Sequence, residues 1–182
     1  MQSTADIPAA TMRVILSEYA LDPDGIHGLR HWDRVLENGL RLAARTGASV
    51  RVVTLFAVFH DARRISESSD SGHGSRGAEL ARTMRRSGDA VLNSISDDEF
   101  GLLTRACELH TEGRTQGDVT LQTCWDADRL DLWRVGVMPH ASRLCNAAAK
   151  EPETIHWAND RAEGDVFSDR VATWMATGVL ND

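Results

Sequence analysis

The sequence has no long hydrophobic run, no excess of positive charge and few cysteines, and each absence excludes a class of protein. No apolar stretch approaches the roughly 20 residues that a membrane-spanning helix requires. The N-terminus has neither the basic segment nor the apolar block of a signal peptide, so we expect a cytoplasmic protein with no membrane partner. The net charge of -7 gives no electrostatic footprint for duplex nucleic acid, although a local basic pocket is compatible with a small anion.

The three cysteines are Cys107, Cys124 and Cys145. They are odd in number, widely spaced and embedded in apolar patterns. This distribution predicts free thiols packed in the core, and it argues against disulfides or a structural zinc site.

Helical periodicity dominates the chain, and no segment shows a convincing strand, internal repeat or linker. A length of 182 residues fits one domain. We therefore predict an all-α fold, a single helical domain over residues 1–182. The predicted helices cover residues 7–21, 26–44, 50–65, 76–87, 96–110, 121–137, 142–149 and 160–175. Ser49 is expected to cap one of them, and Ser96 with Glu99 forms a capping-box pattern.

The chain is organised around residues 55–64, an apolar helical run that ends in His60, Asp61, Arg63 and Arg64. An imidazole and a carboxylate side by side at the edge of a core can share a divalent cation, which offsets the desolvation of both groups. The alternative interpretation of this doublet alone is a helix-end hydrogen bond.

Other histidines and acidic residues repeat this position, at a helix end or on an inner helix face beside a polar loop. This set supplies nitrogen and oxygen ligands without a thiolate, which favours iron, manganese or zinc as a divalent cofactor over a structural zinc site. Taken singly, each histidine is also compatible with a capping or hydrogen-bonding role at the surface. The candidate ligands are His31, His60, Asp61, His73, His110 and an aspartate of the stretch 125–131.

The order His31, then His60-Asp61, then Ala127-Asp128-Arg129-Leu130 resembles the H…HD…D signature of the HD-domain superfamily of metal-dependent phosphohydrolases. The resemblance covers about residues 26–137, and it implies a helical bundle of the HD-domain type. It implies that Asp128 is the last metal ligand. Asp126 stays open as the fallback, because an aspartate two residues earlier also occurs in several members.

The resemblance also suggests roles for three further histidines. His27 lies four residues before the first ligand, at the position of a general acid in phosphodiesterases of the superfamily, and we expect it on the same helix face as His31. His73 and His110 correspond to the extra histidines of dinuclear members, in which Asp61 would bridge two ions. His73 lies closer to the doublet than that pattern leads us to expect, so both one ion and two ions remain open.

These features predict an enzyme that hydrolyses a small phosphorylated substrate, such as a nucleotide, with metal-activated water. His27, Asp61 and Arg129 are the candidate catalytic residues, and Arg63, Arg64 and Arg129 are candidate substrate contacts. The arginines are equally compatible with solvent-facing salt bridges. Two other classes stay open, a di-iron oxygenase with the same ligands and a non-catalytic sensor of a nucleotide or metal.

Overall fold

The computed structural model describes residues 7–179, and every regular element in that range is helical. The predicted all-α fold is therefore confirmed. Two short 3-10 helices cover Leu132–Val135 and Ala141–Arg143. The α-helices of the described range are α1 (Ala9–Leu16), α2 (Leu29–Thr46), α3 (Val50–Phe59), α4 (His73–Arg86), α5 (Ala90–Ser94), α6 (Asp97–Leu109), α7 (Val119–Arg129), α8 (Ala147–Lys150), α9 (Pro152–Glu163) and α10 (Arg170–Val179).

Helix α3 lies at the centre of the bundle. Every residue from Val52 to Phe59 is buried, and the helix packs against α2, α4, α6 and α7. A helix that is apolar on most of its surface has to be enclosed on most sides. The expected central helix is therefore present, and its C-terminal end points to the middle of the molecule.

Two helix starts follow the predicted capping chemistry. The Ser49 hydroxyl accepts a hydrogen bond from the Val52 amide at the start of α3. At the start of α6, Ser96 and Glu99 form both hydrogen bonds of a capping box. Both predicted caps are confirmed, because capping depends on residues only three positions apart.

Helix α4 packs unusually closely on its neighbours because its buried face carries glycine and alanine. A Cβ atom added to Gly77 would lie 2.1 Å from the Phe59 carbonyl oxygen, and one added to Gly74 would lie 2.1 Å from the Cys107 carbonyl oxygen. These distances are too short for any side chain. The backbone of α4 therefore lies directly against the ends of α3 and α6.

Helix α3 ends earlier than predicted, at Phe59 and not near residue 65. The His60 ring turns back so that its Nδ1 faces the last carbonyl groups of the helix. The Arg64 amide then donates to the Asp61 carbonyl at 3.0 Å, which closes a turn. The doublet thus lies in this turn, where both of its side chains point inward.

Helix α2 begins at Leu29, so His27 lies in the preceding loop, and the expected shared helix face with His31 is wrong. The Leu29 amide donates to the Pro23 carbonyl at 2.8 Å. A Cβ atom at Gly28 would lie 2.2 Å from that same oxygen. The tight loop therefore prevents the helix from extending toward its N-terminus.

The predicted boundaries in the C-terminal third are also wrong. Helix α7 ends at Arg129 and a 3-10 helix follows it, whereas the pattern predicted one helix to residue 137. The segment predicted as 160–175 divides into α9 and α10, because Asp165 has a φ of 45° that no helix accommodates. The Ser168 amide and hydroxyl both donate to Asp33 of α2, which anchors the start of α10.

Three further predictions of helix position are also wrong, by a few residues each, and one short helix was not predicted. Helix α1 ends at Leu16 and not near residue 21, and α4 begins at His73 and not at residue 76. The five-residue α5, which is capped by Asp89, was not predicted. The segment predicted as 142–149 instead forms a 3-10 turn followed by the short α8.

The cysteines and the hydropathy pattern give two further results. Cys107 and Cys124 are buried free thiols, as predicted, whereas Cys145 is partly exposed. Across residues 7–179, no helix combines the length and the apolar character that crossing a membrane requires.

We predict that Gly77→Ala destabilises the protein by about 1–3 kcal/mol, because the new methyl group overlaps the Phe59 carbonyl. Urea unfolding would measure the loss. Gly101→Ala is the matched control, since it lies inside α6 with open space at its Cβ position. There the same substitution should stabilise the helix by up to about 1 kcal/mol. Equal effects at the two positions would contradict the close packing of α4.

Candidate metal centre

The end of α3 brings together side chains from five helix ends. Each of the four histidines and both aspartates comes from a first turn, a last turn or the residue just beyond a helix. The ends converge because α2, α4, α6 and α7 surround α3. The residues are His31 in α2, His60 and Asp61 after α3, His73 at the start of α4, His110 after α6 and Asp128 in α7.

The first half of the cluster contains His31, His60 and Asp128. The Nε2 atoms of His31 and His60 are 3.1 Å apart. Asp128 Oδ1 lies 3.5 Å from His31 Nε2 and 3.8 Å from His60 Nε2. These three side chains place one possible ligand atom each around a common point.

The second half contains His73 and His110, and Asp61 connects it to the first. His73 Nε2 lies 2.8 Å from His110 Nε2 and 3.1 Å from Asp61 Oδ1. The other oxygen, Asp61 Oδ2, lies 3.7 Å from His31 Nε2 and 3.8 Å from His60 Nε2. The two oxygens of one carboxylate thus face two separate pairs of histidines.

Each of the four imidazoles is oriented through its Nδ1 atom, and its Nε2 atom points into the cluster. A carbonyl oxygen can only accept a hydrogen bond, so an Nδ1 atom facing one carries the proton and the opposite Nε2 presents a lone pair. The partners of Nδ1 are Asp131 for His31, the Phe56 and Ala57 carbonyls for His60, the Asp70 carbonyl for His73 and the Cys107 carbonyl for His110.

Converging lone pairs require a positive charge between them. Burial lowers the pKa of His110 to about 4, and burial together with Arg134 holds the pKa of His31 well below its usual range. Both rings are therefore neutral at neutral pH. Burial lowers the pKa of His73, but its hydrogen bond to Asp61, the charge of Asp61 and the Asp70 carbonyl together raise that pKa above its usual value.

The two aspartates are ionised despite their positions. Burial opposes the charge on Asp61, but the imidazoles around it, His60 foremost, hold its pKa well below the usual range. Burial opposes the charge on Asp128 in the same way, and His60 and His110 lower its pKa. Two carboxylates and four imidazoles, of which at least two are neutral, form a donor set suited to divalent transition metals.

The donor set fits a metal on chemical grounds. The Nε2 atoms of neighbouring rings face each other at 2.8 Å and 3.1 Å, and a divalent cation placed between them would attract both nitrogens of each pair. The cluster offers no thiolate, and each ring is already oriented by a hydrogen bond, as is usual for metal-bound histidine. These buried histidine and aspartate groups could hold a metal ion.

Asp128 is the most exposed member of the cluster. It keeps 16% of its side-chain surface exposed, whereas the side chains of His31 and His60 are fully buried and Asp61 is 3% exposed. The cluster is therefore closest to solvent at Asp128.

His27 lies beside the cluster although it is outside α2. Its Nδ1 atom is 3.0 Å from Asp61 Oδ2, and its carbonyl accepts hydrogen bonds from the Tyr19 hydroxyl and the Trp32 indole at 2.9 Å each. These bonds hold the loop firmly against α2. His27, His31 and Asp61 also form a compact group of possible ligands, so the position suits either a proton donor or a ligand.

The polar loop after the doublet lies against His27. Glu67 Oε2 is 3.9 Å from His27 Nε2. Arg64 holds the loop by donating to the Ser66 and Ser68 carbonyls, and its Nη1 lies 3.3 Å from the His73 ring. Arg64 therefore lies at the cluster as predicted from its position, but most of its donors are used for the loop.

Three candidate residues from the sequence lie elsewhere. Asp126 accepts hydrogen bonds from the Cys145 and Asn146 amides, which orient it away from the histidines. Arg63 donates to the Ile15 carbonyl and pairs with Glu18. Arg129 donates to the Arg143 carbonyl. The structure thus places Asp128, and not the fallback Asp126, with the cluster.

The sequence included Asp131 among the candidate aspartates of the stretch 125–131 but did not predict its role, and it did not indicate Arg134. Asp131 accepts a hydrogen bond from His31 Nδ1 at 2.7 Å and is itself bound by Arg34 at 2.7 Å. Arg134 Nη2 lies 3.4 Å from His27 Nδ1. Asp128, Asp131 and Arg134 are spaced three apart, and this spacing was the available signal that all three face the same way.

Comparisons of the chain with protein-family models, with curated proteins and with solved structures found no match.

We predict that Asp128→Ala loses bound metal, whereas Asp126→Ala retains it with at most a 10–100-fold change in affinity. The reason is that only Asp128 faces the histidines, while Asp126 is held by the amides of Cys145 and Asn146. Metal per chain, measured by elemental analysis after dialysis, would test this, with circular dichroism as the check on folding. Loss of metal in Asp126→Ala alone would move the ligand to that residue.

Proposed function

We propose that this chain is a metal-dependent phosphohydrolase of the HD type, with two divalent ions at the cluster. One observation carries the proposal: Asp61 Oδ1 lies 3.1 Å from His73 in the group that also contains His110, while Asp61 Oδ2 lies 3.7 Å from His31 and 3.8 Å from His60. A carboxylate in that position is suited to bridge two cations. Iron, manganese and zinc all suit the donor set.

The ligands divide between the two ions by proximity. His31, His60 and Asp128 would hold the first ion together with Asp61 Oδ2. His73 and His110 would hold the second ion together with Asp61 Oδ1. An imidazole binds a metal only when its ligand nitrogen is unprotonated, so binding of the second ion should weaken at acidic pH, where His73 is protonated.

Bound divalent ions supply Lewis acidity, which lowers the pKa of a water ligand and offsets negative charge on a phosphoryl group. The side chains of the protein would orient the ligands. His31 is held in one tautomer by Asp131, and that carboxylate is in turn paired with Arg34. These two contacts keep the proton of His31 on Nδ1, so that Nε2 faces the cluster without a proton.

His27 is the candidate proton donor. Its Nδ1 atom lies 3.0 Å from Asp61 Oδ2, and its Nε2 atom faces the polar loop at Glu67, 3.9 Å from the carboxylate. A proton held there could pass to the oxygen that leaves when the phosphoester bond breaks. Without it, that oxygen would leave as an alkoxide of high energy.

The arginines favour a phosphorylated substrate. Arg134 lies beside His27 at the edge of the cluster, and Arg64 lies 3.6 Å from Asp61 on the other side. Two permanent positive charges next to the ligands favour a substrate that is itself an anion. A di-iron oxygenase would use the same ligands, but it has no comparable need for an acid at His27.

We predict close to two transition-metal ions per chain in protein purified without chelator, and close to one in His110→Ala. His110 belongs only to the second group of ligands, so the first ion should remain. Elemental analysis would give both ratios, and His156→Ala, at an exposed histidine, is the matched control. A ratio of one in the wild-type protein with iron, manganese and zinc alike would exclude the dinuclear site.

We further predict that the metal-loaded protein hydrolyses members of a panel of nucleotides, phosphomonoesters and phosphodiesters. His27→Ala should retain the metal and slow turnover by roughly 10²–10⁴-fold, because one acid-base group is lost. Phosphate release would measure hydrolysis, and an oxygen electrode would detect oxygenase activity. Oxygen consumption without phosphate release would replace the hydrolase proposal, and loss of metal in His27→Ala would make His27 a ligand.

A further inference from the structure

A cavity lies next to the cluster of histidines and aspartates. It is enclosed by the loop before α2, the 3-10 helix after α7 and the connection from α9 to α10. Its volume is about 280 Å³. This is close to the lower end of the range for small-molecule sites, roughly 300–1,000 Å³, so it can take one small group and not a whole large ligand. Three arginines line it, Arg30, Arg34 and Arg134.

Two of the three arginines, Arg30 and Arg34, already bind a carboxylate of the chain itself. Asp165 Oδ1 accepts a hydrogen bond from Arg34 Nη1 at 2.8 Å, and Asp165 Oδ2 accepts one from Arg30 Nη1. Each oxygen thus has its own guanidinium group. This is the arrangement in which arginines bind a free carboxylate or phosphate.

Asp165 is more exposed to solvent than the two arginines that it binds. Its side chain is 47% exposed, and it lies on the α9–α10 connection with a φ of 45°. The guanidinium of Arg34, in contrast, is 5% exposed and fixed from behind by Asp131. If Asp165 moved outward, two donors from different arginines would point to the same space without an acceptor.

The other two carboxylates at this cavity already form ion pairs. Asp24 lines the wall and pairs with Arg30, and Asp131 behind the wall pairs with Arg34 and His31. Neither carboxylate can replace Asp165 between the two guanidinium groups. The vacancy left by Asp165 would therefore attract an external anion.

Arg134 lies between the cavity and the cluster of histidines and aspartates. It donates to the Ile26 carbonyl at 3.0 Å and lines the cavity, and its Nη2 atom lies 3.4 Å from His27 Nδ1. A group bound in the cavity would lie on the other side of this guanidinium from the proposed acid. One extended molecule could contact both places.

Two exposed apolar side chains lie at or near the cavity. Ile26 lines it and is 46% exposed, and the exposed Phe167 ring stacks against the Arg30 guanidinium at 4.7 Å. Apolar side chains beside paired arginines suit an organic molecule that ends in an anionic group.

We propose that this cavity binds a phosphate or carboxylate group and that Asp165 occupies the same place when no ligand is bound. We assign this group to the substrate, as a second anionic group apart from the one that is hydrolysed. The assignment to the substrate rests on the proposed function, whereas the anion site itself does not depend on it.

The anion site is tested with inorganic phosphate and the full chain, in the presence of EDTA so that metal ions make no contribution. Isothermal titration calorimetry should show at least about tenfold tighter phosphate binding in Asp165→Asn, because the internal competitor loses its charge. Asparagine also tolerates a positive φ, so the backbone is kept. Arg30→Gln should weaken binding by at least about tenfold.

Arg45 and Glu151 provide matched controls, because they form an exposed ion pair elsewhere on the molecule with both contacts at 2.6 Å. Glu151→Gln and Arg45→Gln change the net charge by the same amounts and should leave phosphate binding unchanged. Equal phosphate affinity in Asp165→Asn and the wild-type protein would overturn the site. An increase in phosphate affinity in Glu151→Gln equal to that in Asp165→Asn would also overturn the site.

A second measurement decides which molecule carries the anion. With metal-loaded protein, Arg30→Gln should lower kcat/KM for carboxyphenyl phosphate about tenfold more than it lowers kcat/KM for phenyl phosphate. Equal effects on the two esters would overturn the assignment to the substrate and leave the site for a separate anion. Absence of hydrolysis would overturn the proposed function, while the phosphate titration would still decide the anion site.

Discussion

The structure depends on the carboxylate of Asp61, a negative charge held at the centre of a helical bundle. A buried carboxylate is strongly unfavourable unless positive or hydrogen-bonding groups surround it. His27 at 3.0 Å and His73 at 3.1 Å contact its two oxygens, and a cation held by the surrounding imidazoles would add the positive charge that this position requires. The helices are therefore arranged so that their ends, where polar side chains can leave the helical pattern, meet at one buried point.

Close packing between backbones makes this convergence possible. Gly74 and Gly77 let α4 approach the ends of α3 and α6, and that approach brings His73 within 2.8 Å of His110. Gly28 has the same role for the loop that carries His27. The glycines thus set distances within the cluster although none of them is a ligand. A larger residue at any of these positions would separate the two halves of the site.

Electrostatic coupling extends from the cluster to the molecular surface. His31 binds Asp131, Asp131 binds Arg34, and Arg34 binds Asp165 on the α9–α10 connection. The same contacts connect a candidate metal ligand, a cavity lined by three arginines and a segment that leaves helical geometry. A group that displaced Asp165 would therefore act on Arg34, which pairs with Asp131, the partner of His31. The proposed anion site and the candidate metal ligand would thus share one set of side chains.

The sequence by itself determined the helical class, the central position of α3, two helix caps and the group of histidines and aspartates from which the cluster is built. These features depend on residue type and on spacings of three or four residues. Helix ends and the choice between Asp126 and Asp128 were decided by the tertiary structure, as were the contacts of Arg63 and Arg129 away from the cluster. So was the pairing of His31 with Asp131, since 100 residues separate them. Such contacts depend on which helices pack together, and no local spacing encodes that packing.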